Sequence, residues 1–271
     1  MRGEALLLVT PGAALLIGGF LLPVGQMLTF ALVAPEPGAS AIANFERFFA
    51  DDYYLRVAWR TFRLSLVITA LTIAIGFPLA YAMARAPRWL GFVLLIVTVL
   101  PLMTSVVIRT FGWMIVLGRG GPVADVLGAF GLGARTATLL HTETGIVIAM
   151  VQVLLPFAAL TILGVIAGID RRLEEAARTM GADFWRTLRH VVAPLAWPGI
   201  VSGALLVFTI SISSFVTPNL VGGVRLPVMA GAIYQQAVHT LDWPFAAAQS
   251  AMLLGVVLLL LAPWLALSRR R

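Results

Sequence analysis

Asp170–Ile200 reads DRRLEEAARTMGADFWRTLRHVVAPLAWPGI and carries nine of the charged residues of a chain that is otherwise mostly apolar. Long apolar segments flank it on both sides, which makes it an aqueous loop between two membrane helices. It does not read as a slack linker. From Arg172 to Met180 most residues rank high in helix propensity. Leu173, Ala176, Ala177 and Met180 recur at i, i+3, i+4 and i+7, an apolar stripe on a charged rod. Gly181 stands where a helix end calls for a left-handed residue. Asp183 is the N-cap of a second helix through Phe184, Trp185, Leu188 and Val191, which Pro194 and Pro198 are expected to end. Arg171, Arg172, Arg178, Arg186 and Arg189 also hold topology, but that duty needs neither a stripe nor a glycine corner. The loop is a rigid knob shaped for docking.

The rest of the composition agrees with a membrane setting. Hydrophobic residues make up 60% of the chain and charged residues 11%, with a mean hydropathy of +0.97, values of an integral membrane protein. A pI near 11.1 would suit nucleic acid only if the arginines shared a soluble face. They sit in short loops and at the C-terminus, so they are topology signals and no nucleic-acid partner is expected. Every basic residue except histidine is arginine. A phosphate-binding Walker loop requires a lysine, so this polypeptide is not itself a P-loop ATPase. There are no cysteines, which excludes disulfides and thiol chemistry and leaves the redox compartment undetermined.

Taken in order, the chain divides into six apolar segments, an all-α membrane protein in one domain, 1–271. The first, about 5–33, is broken by Pro11 and Pro23 and is too long for the core of a cleaved leader, so it is read as a retained helix. Residues 34–61 are a polar excursion whose Phe45, Phe48, Phe49, Tyr53 and Tyr54 suit an interfacial helix near 44–56. The second span is about 62–84, and Arg85 and Arg88 around Pro87 make a tight turn into the third, 89–117. Arg109 falls near the far end of that segment, where it either faces a cavity or snorkels. Val123 to Phe130 suit a short helix ending at Gly131 and Gly133. The fourth span is 144–168, with Gln152, Pro156 and Thr161 inside it, and the docking loop occupies 170–198. The fifth, 198–221, is unusually polar, with Thr209, Ser211, Ser213, Ser214, Thr217 and Asn219. Such hydroxyls serve helix packing or the wall of a polar path. Residues 222–243 are expected to form an exterior gate segment or half-helix with Gln235 and Gln236 exposed. Asp242 caps the sixth span, 244–267, with Pro244 in its first turn.

Six spans place both termini on one side. That side holds eleven arginines in short loops, against seven in the longer loops opposite. The bias puts both termini and the docking loop in the cytoplasm. Searching for chemistry finds absences. His141, His190 and His239 lie in different loops without metal-ligand spacing. No G-x-S-x-G turn is present, and no carboxylate pair lies within a span to relay protons.

The loop resembles the EAA loop of the membrane subunits of bacterial ATP-binding-cassette importers of type I. That pattern is Glu-Ala-Ala, three residues, Gly, nine residues, then Ile-x-Leu-Pro. Here it runs Glu175-Ala176-Ala177, Gly181, then Val191-Val192-Ala193-Pro194, with Val191 replacing Ile and Ala193 replacing Leu. The resemblance implies a coupling helix that inserts into a groove on a cytoplasmic ATPase dimer. Glu174, Glu175, Ala176, Ala177, Gly181, Ala182, Phe184, Trp185 and Pro194 are then the coupling residues. It also implies that ATP and magnesium are bound by that partner, with no cofactor on this chain. A second homologous permease subunit or a second copy, and a periplasmic solute-binding protein, complete the assembly in the bacterial inner membrane.

Further stretches resemble the spermidine/putrescine permeases within that family: Arg109-Thr110-Phe111-Gly112-Trp113, the Gly120–Gly133 segment, Ser214-Phe215-Val216-Thr217-Pro218 with Gly222-Gly223, and Gln235, Gln236 and Trp243-Pro244-Phe245. That likeness implies a polyamine as solute; permeases with the same pattern carry phosphonates, opines or ferric iron. Arg109, Trp113, Ser211, Ser214 and Asn219 are the candidate path residues. A polar solute at mid-membrane needs replacement hydrogen bonds, each missing one costing on the order of 2–7 kcal/mol. A stand-alone carrier or channel is the alternative class, and a membrane-embedded assembly factor a third; neither accounts for both the docking loop and the polar fifth span.

Overall fold

A computed structural model describes residues 10–34, 40–129 and 138–268, with side chains omitted at 127 and 261–268. Among the described residues the chain is helical throughout, without strands. The helices are α1 (Thr10–Ala31), α2 (Ala43–Ala50), α3 (Asp52–Arg85), α4 (Arg88–Val99), α5 (Val106–Leu117) and α6 (Pro122–Ala129). They continue as α7 (Glu143–Ala167), α8 (Arg171–Thr179), α9 (Phe184–Ser213), α10 (Val216–Gly222), α11 (Met229–Tyr234) and α12 (Trp243–Ser268). Among the described residues five helices are long and apolar enough to cross a bilayer, and a bent pair makes a sixth crossing if counted as one span. Segments 1–58 with 229–271 form one compact unit and 59–228 another, the division falling inside α3.

Several boundaries differ from those expected, each for a local reason. The interfacial helix of 44–56 stops at Ala50 because Asp51 turns extended. Its carboxylate then accepts the Tyr53 N–H at 2.8 Å and starts α3. The second span is therefore not 62–84 but a 34-residue rod, about 51 Å long at 1.5 Å per residue. The third span, expected as 89–117, is broken: Arg88–Met103 and Val106–Val126 meet at 103°. A 3-10 turn at Leu100–Met103 tightens the end of the first half, and Thr104 leaves the helix in an extended conformation.

Pro194 and Pro198 do not end the knob's second helix. Phe184 to Ser213 is one continuous helix that carries both prolines. The turn Leu188–Val192 is a π-helix in which the Ala193 N–H reaches back to the Leu188 carbonyl. The wide turn comes just before Pro194, which has no N–H to give, so the missing bond falls where the ladder is already shifted. The same device precedes Pro23 in α1, where the Leu22 N–H bonds the Ile17 carbonyl. The fifth span, expected over 198–221, ends instead at Ser213; Ser214 turns extended and α10 follows.

In the first unit Phe48, Tyr54, Val57, Met229, Ala232 and Phe245 pack together, with the Tyr54 and Phe245 rings edge-to-face at 5.0 Å. Asp242 caps α12 by accepting the Phe245 N–H at 3.2 Å, and its other oxygen holds Arg47 at 2.7 Å. Segment 222–243 contains α11 and a following π-helix, Gln235–Thr240. Gln235 is exposed, but Gln236 is half-buried and donates to the Tyr54 hydroxyl at 2.9 Å.

The second unit is built around α7, whose Ile146, Ala149, Met150, Leu154 and Ala158 are buried. Small residues let neighbours close on it. A Cβ added at Gly199 of α9 would meet Val165 at 2.8 Å, and one at Gly76 of α3 would meet Ala158 at 3.1 Å.

Candidate functional site

The knob is fastened by its caps. Asp170 accepts the Arg172 N–H at 2.9 Å and opens α8. At the other end Gly181 takes φ +87°. The Ala182 N–H bonds the Ala177 carbonyl at 3.0 Å and the Gly181 N–H bonds Arg178 at 2.9 Å. This is the paired closure of a Schellman motif, which requires a left-handed residue at Gly181. Asp183 then accepts the Arg186 N–H at 2.7 Å and opens α9.

Tertiary packing decides which face of α8 is outward. Glu174 and Ala177 turn into the chain and are buried. Leu173 is 48% exposed, Met180 83%, Phe184 45% and Trp185 72%, and Glu175, Ala176 and Gly181 are open as well. Most of the apolar stripe thus faces away from the protein, with an exposed tryptophan beside it. Ala182 is half-buried, and Pro194 is exposed within α9. The result is an exposed apolar patch on a charged, capped loop.

What holds α8 to the membrane helices is a polar clamp that motif spacing did not reveal. The Glu174 carboxylate accepts Arg85 Nε at 2.6 Å and the Tyr81 hydroxyl at 2.8 Å. Arg85 also donates to the Ile169 carbonyl at 2.9 Å, and Arg171 to the Ala84 carbonyl at 2.8 Å. Phe184 meets the Tyr81 ring edge-on at 5.9 Å. The only sequence signal was an arginine ending one span and an acid in a later loop, with nothing to pair them. At the opposite end of α3, Arg60 and Arg63 bind Glu143 at the start of α7.

The path candidates do not converge on one point. Arg109 lies one turn past the break in the third span and donates Nη2 to the Thr104 carbonyl at 3.2 Å, while its Nε and Nη1 are buried without partners. Neighbouring Thr110 pairs with Thr217 of α10 at 3.0 Å, both buried. Trp113 donates its indole N–H to Gln152 of α7 at 3.1 Å. Ser211 and Ser214 line a cavity of about 10 Å³ with Ser65, room for about one water. There the Ser211 hydroxyl is unpartnered, and Ser214 bonds the Ile210 carbonyl at 2.7 Å. Asn219 is exposed. Arg109 makes no hydrogen bond or ion pair to the other four.

The geometry is that of a polytopic helical chain with a capped, fastened loop between two of its later apolar helices. Residues 54–269 match the binding-protein-dependent transport system inner membrane component family, and the chain belongs to it. It is similar to the spermidine/putrescine transport system permease protein of Haemophilus influenzae, at 32% identity over 81% of this chain and 77% of that one. A probable molybdenum ABC transporter permease protein of Haloferax volcanii is 30% identical over 97% of this chain and 92% of that one. Two crystal structures of a bacterial alginate ABC transporter share the fold. One, described as importing the acidic polysaccharide alginate, has a TM-score of 0.76 at 20% identity, covering 98% and 94% of the two chains. The other, in complex with an alginate-bound periplasmic protein, has a TM-score of 0.72 at 19% identity, covering 98% and 93%. The protein is thus a multi-pass inner-membrane permease component of the type I ABC importer fold.

Proposed function

We propose that this chain forms half of the translocation path of an ATP-driven importer for a small hydrophilic solute, with spermidine or putrescine as its cargo. The observation that carries the coupling role is the outward apolar face of Leu173, Ala176, Met180 and Trp185 on a loop locked by Gly181 and Glu174. A cytoplasmic ATPase dimer docks on that face and binds the ATP and magnesium, so hydrolysis is not performed here. Both termini lie on the same cytoplasmic side. A periplasmic binding protein delivers the solute, and a second homologous permease, or a second copy of this chain, completes the path. The family description and the alginate complex support a binding-protein partner of this kind, and the relative from Haemophilus influenzae supports the polyamine.

Arg109 favours one second reading. A guanidinium with two buried, unpartnered nitrogens suits an oxyanion better than a cation, and the molybdenum permease relative is compatible with it. ATP-driven uptake by the reconstituted permease, ATPase and binding protein separates the two. Spermidine uptake unaffected by molybdate upholds the polyamine. Uptake of molybdate alone, abolished by Arg109→Gln, replaces it with the oxyanion.

A further inference from the structure

Between the end of α3, the start of α4 and the start of α8 lies a cavity of about 740 Å³ whose lining includes Arg85, Arg88, Arg171, Phe92, Leu95 and Leu163. The three arginines are at helix ends: Arg85 closes α3, Arg88 opens α4 and Arg171 opens α8. Phe92 and Leu95 lie further along α4, about 6 and 10 Å beyond Arg88 at 1.5 Å per residue. Leu163 is about one turn before the end of α7. The cavity is therefore basic at its aqueous rim and apolar toward the membrane interior. Trp89, 68% exposed, marks the interfacial level, where aromatic rings collect.

The charges at the rim are not all spent within the chain. Arg85 is neutralised by Glu174 at 2.6 Å. Arg171 gives one N–H to the Ala84 carbonyl, which leaves its charge uncompensated. Arg88 makes no hydrogen bond or ion pair with any described residue and is exposed. Among the described residues no acidic side chain lines the cavity. Two guanidiniums without a carboxylate partner beside an apolar slot at the interface match a phosphodiester carrying an acyl chain. We infer that this cavity binds one anionic phospholipid, its phosphate on Arg88 and Arg171 and an acyl chain against Phe92, Leu95 and Leu163. An inorganic anion would leave the apolar wall unused, and a zwitterionic lipid would bring no net charge to the arginines. The lipid thereby wedges the α3–α4 turn against the base of the docking knob. The site rests on the membrane assignment and not on the solute proposed above.

The test is lipid titration of the purified full-length chain in detergent, followed by native mass spectrometry of the tightest bound lipid. Phosphatidylglycerol and phosphatidylcholine are compared, with inorganic phosphate as competitor. Each basic residue near an anionic headgroup is worth roughly fivefold in affinity, so phosphatidylglycerol should bind roughly 25-fold more tightly than phosphatidylcholine. Arg88→Gln should lower phosphatidylglycerol affinity roughly fivefold, leave phosphatidylcholine unchanged and leave the melting temperature unchanged, because the side chain has no partner to lose. Leu95→Trp, which fills the slot, should weaken both lipids. Equal affinity for the two lipids, indifference to Arg88→Gln, or displacement of the lipid by inorganic phosphate would overturn the assignment. Because uptake is not the readout, failure here leaves the transport reading standing.

Discussion

Replacing Glu174 by alanine removes the acid that ties the docking knob to α3. The side chains of Arg85 and Glu174 are only 13% and 6% exposed, and their contact is 2.6 Å. Deleting one member of a buried ion pair strands the other and costs about 3–5 kcal/mol. Arg85 keeps the Ile169 carbonyl at 2.9 Å, which favours the lower end, whereas Tyr81 loses the acceptor of its hydroxyl. A loss of about 3 kcal/mol lowers the melting temperature of a chain this size by roughly 6–12 °C. Thermal unfolding of the purified permease in detergent measures it. Arg85→Met should cost a similar amount, and the Arg85→Met/Glu174→Met double variant should recover part of the loss, since no charge is then left unpaired. In the reconstituted assembly Glu174→Ala should also lower uptake per ATP hydrolysed, because the docked helix no longer grips α3. A melting temperature within 1 °C of wild type, or a double variant as unstable as the sum of the singles, would refute the clamp.

Gly181→Val should lower stability by roughly 1–2 kcal/mol through backbone strain alone, since φ is +87° and nothing lies within 4 Å of an added Cβ; ATPase activity should persist while uptake falls, measured side by side in proteoliposomes. Thr217→Val should cost about 0.5–1.5 kcal/mol by removing one buried hydrogen bond, since the Thr110 hydroxyl keeps the Val106 carbonyl at 2.8 Å, and Thr110→Val/Thr217→Val should cost less than the sum of the two single variants in the same thermal assay. Because the chain has no cysteine of its own, Arg178→Cys permits clean labelling; a membrane-impermeant maleimide should react only from the cytoplasmic side, and reaction from the periplasm would reverse the topology.

The glycine corner and second cap of the 170–198 loop were readable because their determinants are local. Asp183 caps the second helix where its position put it, and Gly181 adopts the left-handed conformation its position implied. Asp242 likewise caps the last span. Each cap joins a side chain to a backbone N–H three residues away, and the Gly181 turn closes on the last turn of its own helix. The candidate path was only partly readable. Hydroxyls in the fifth segment announced polarity, but not that Thr217 would be spent on Thr110 while the Ser211 hydroxyl remained unpartnered.

By itself the sequence determined the class of the protein: apolar runs long enough for a bilayer, arginine bias, and a loop whose caps and spacing depend on neighbours along the chain. Tertiary structure alone decided how those parts are used. An amphipathic pattern names two faces of α8 without saying which is turned inward, and here a carboxylate is inside because Arg85 and Tyr81 are there to meet it. The third apolar run bends through 103° at residues that hydropathy reads as part of a continuous segment. Two prolines that should stop a helix lie within one, the first directly after a π-turn. In each case the deciding partner lies far along the chain, or in a shift of the hydrogen-bond ladder that hydropathy and spacing do not encode.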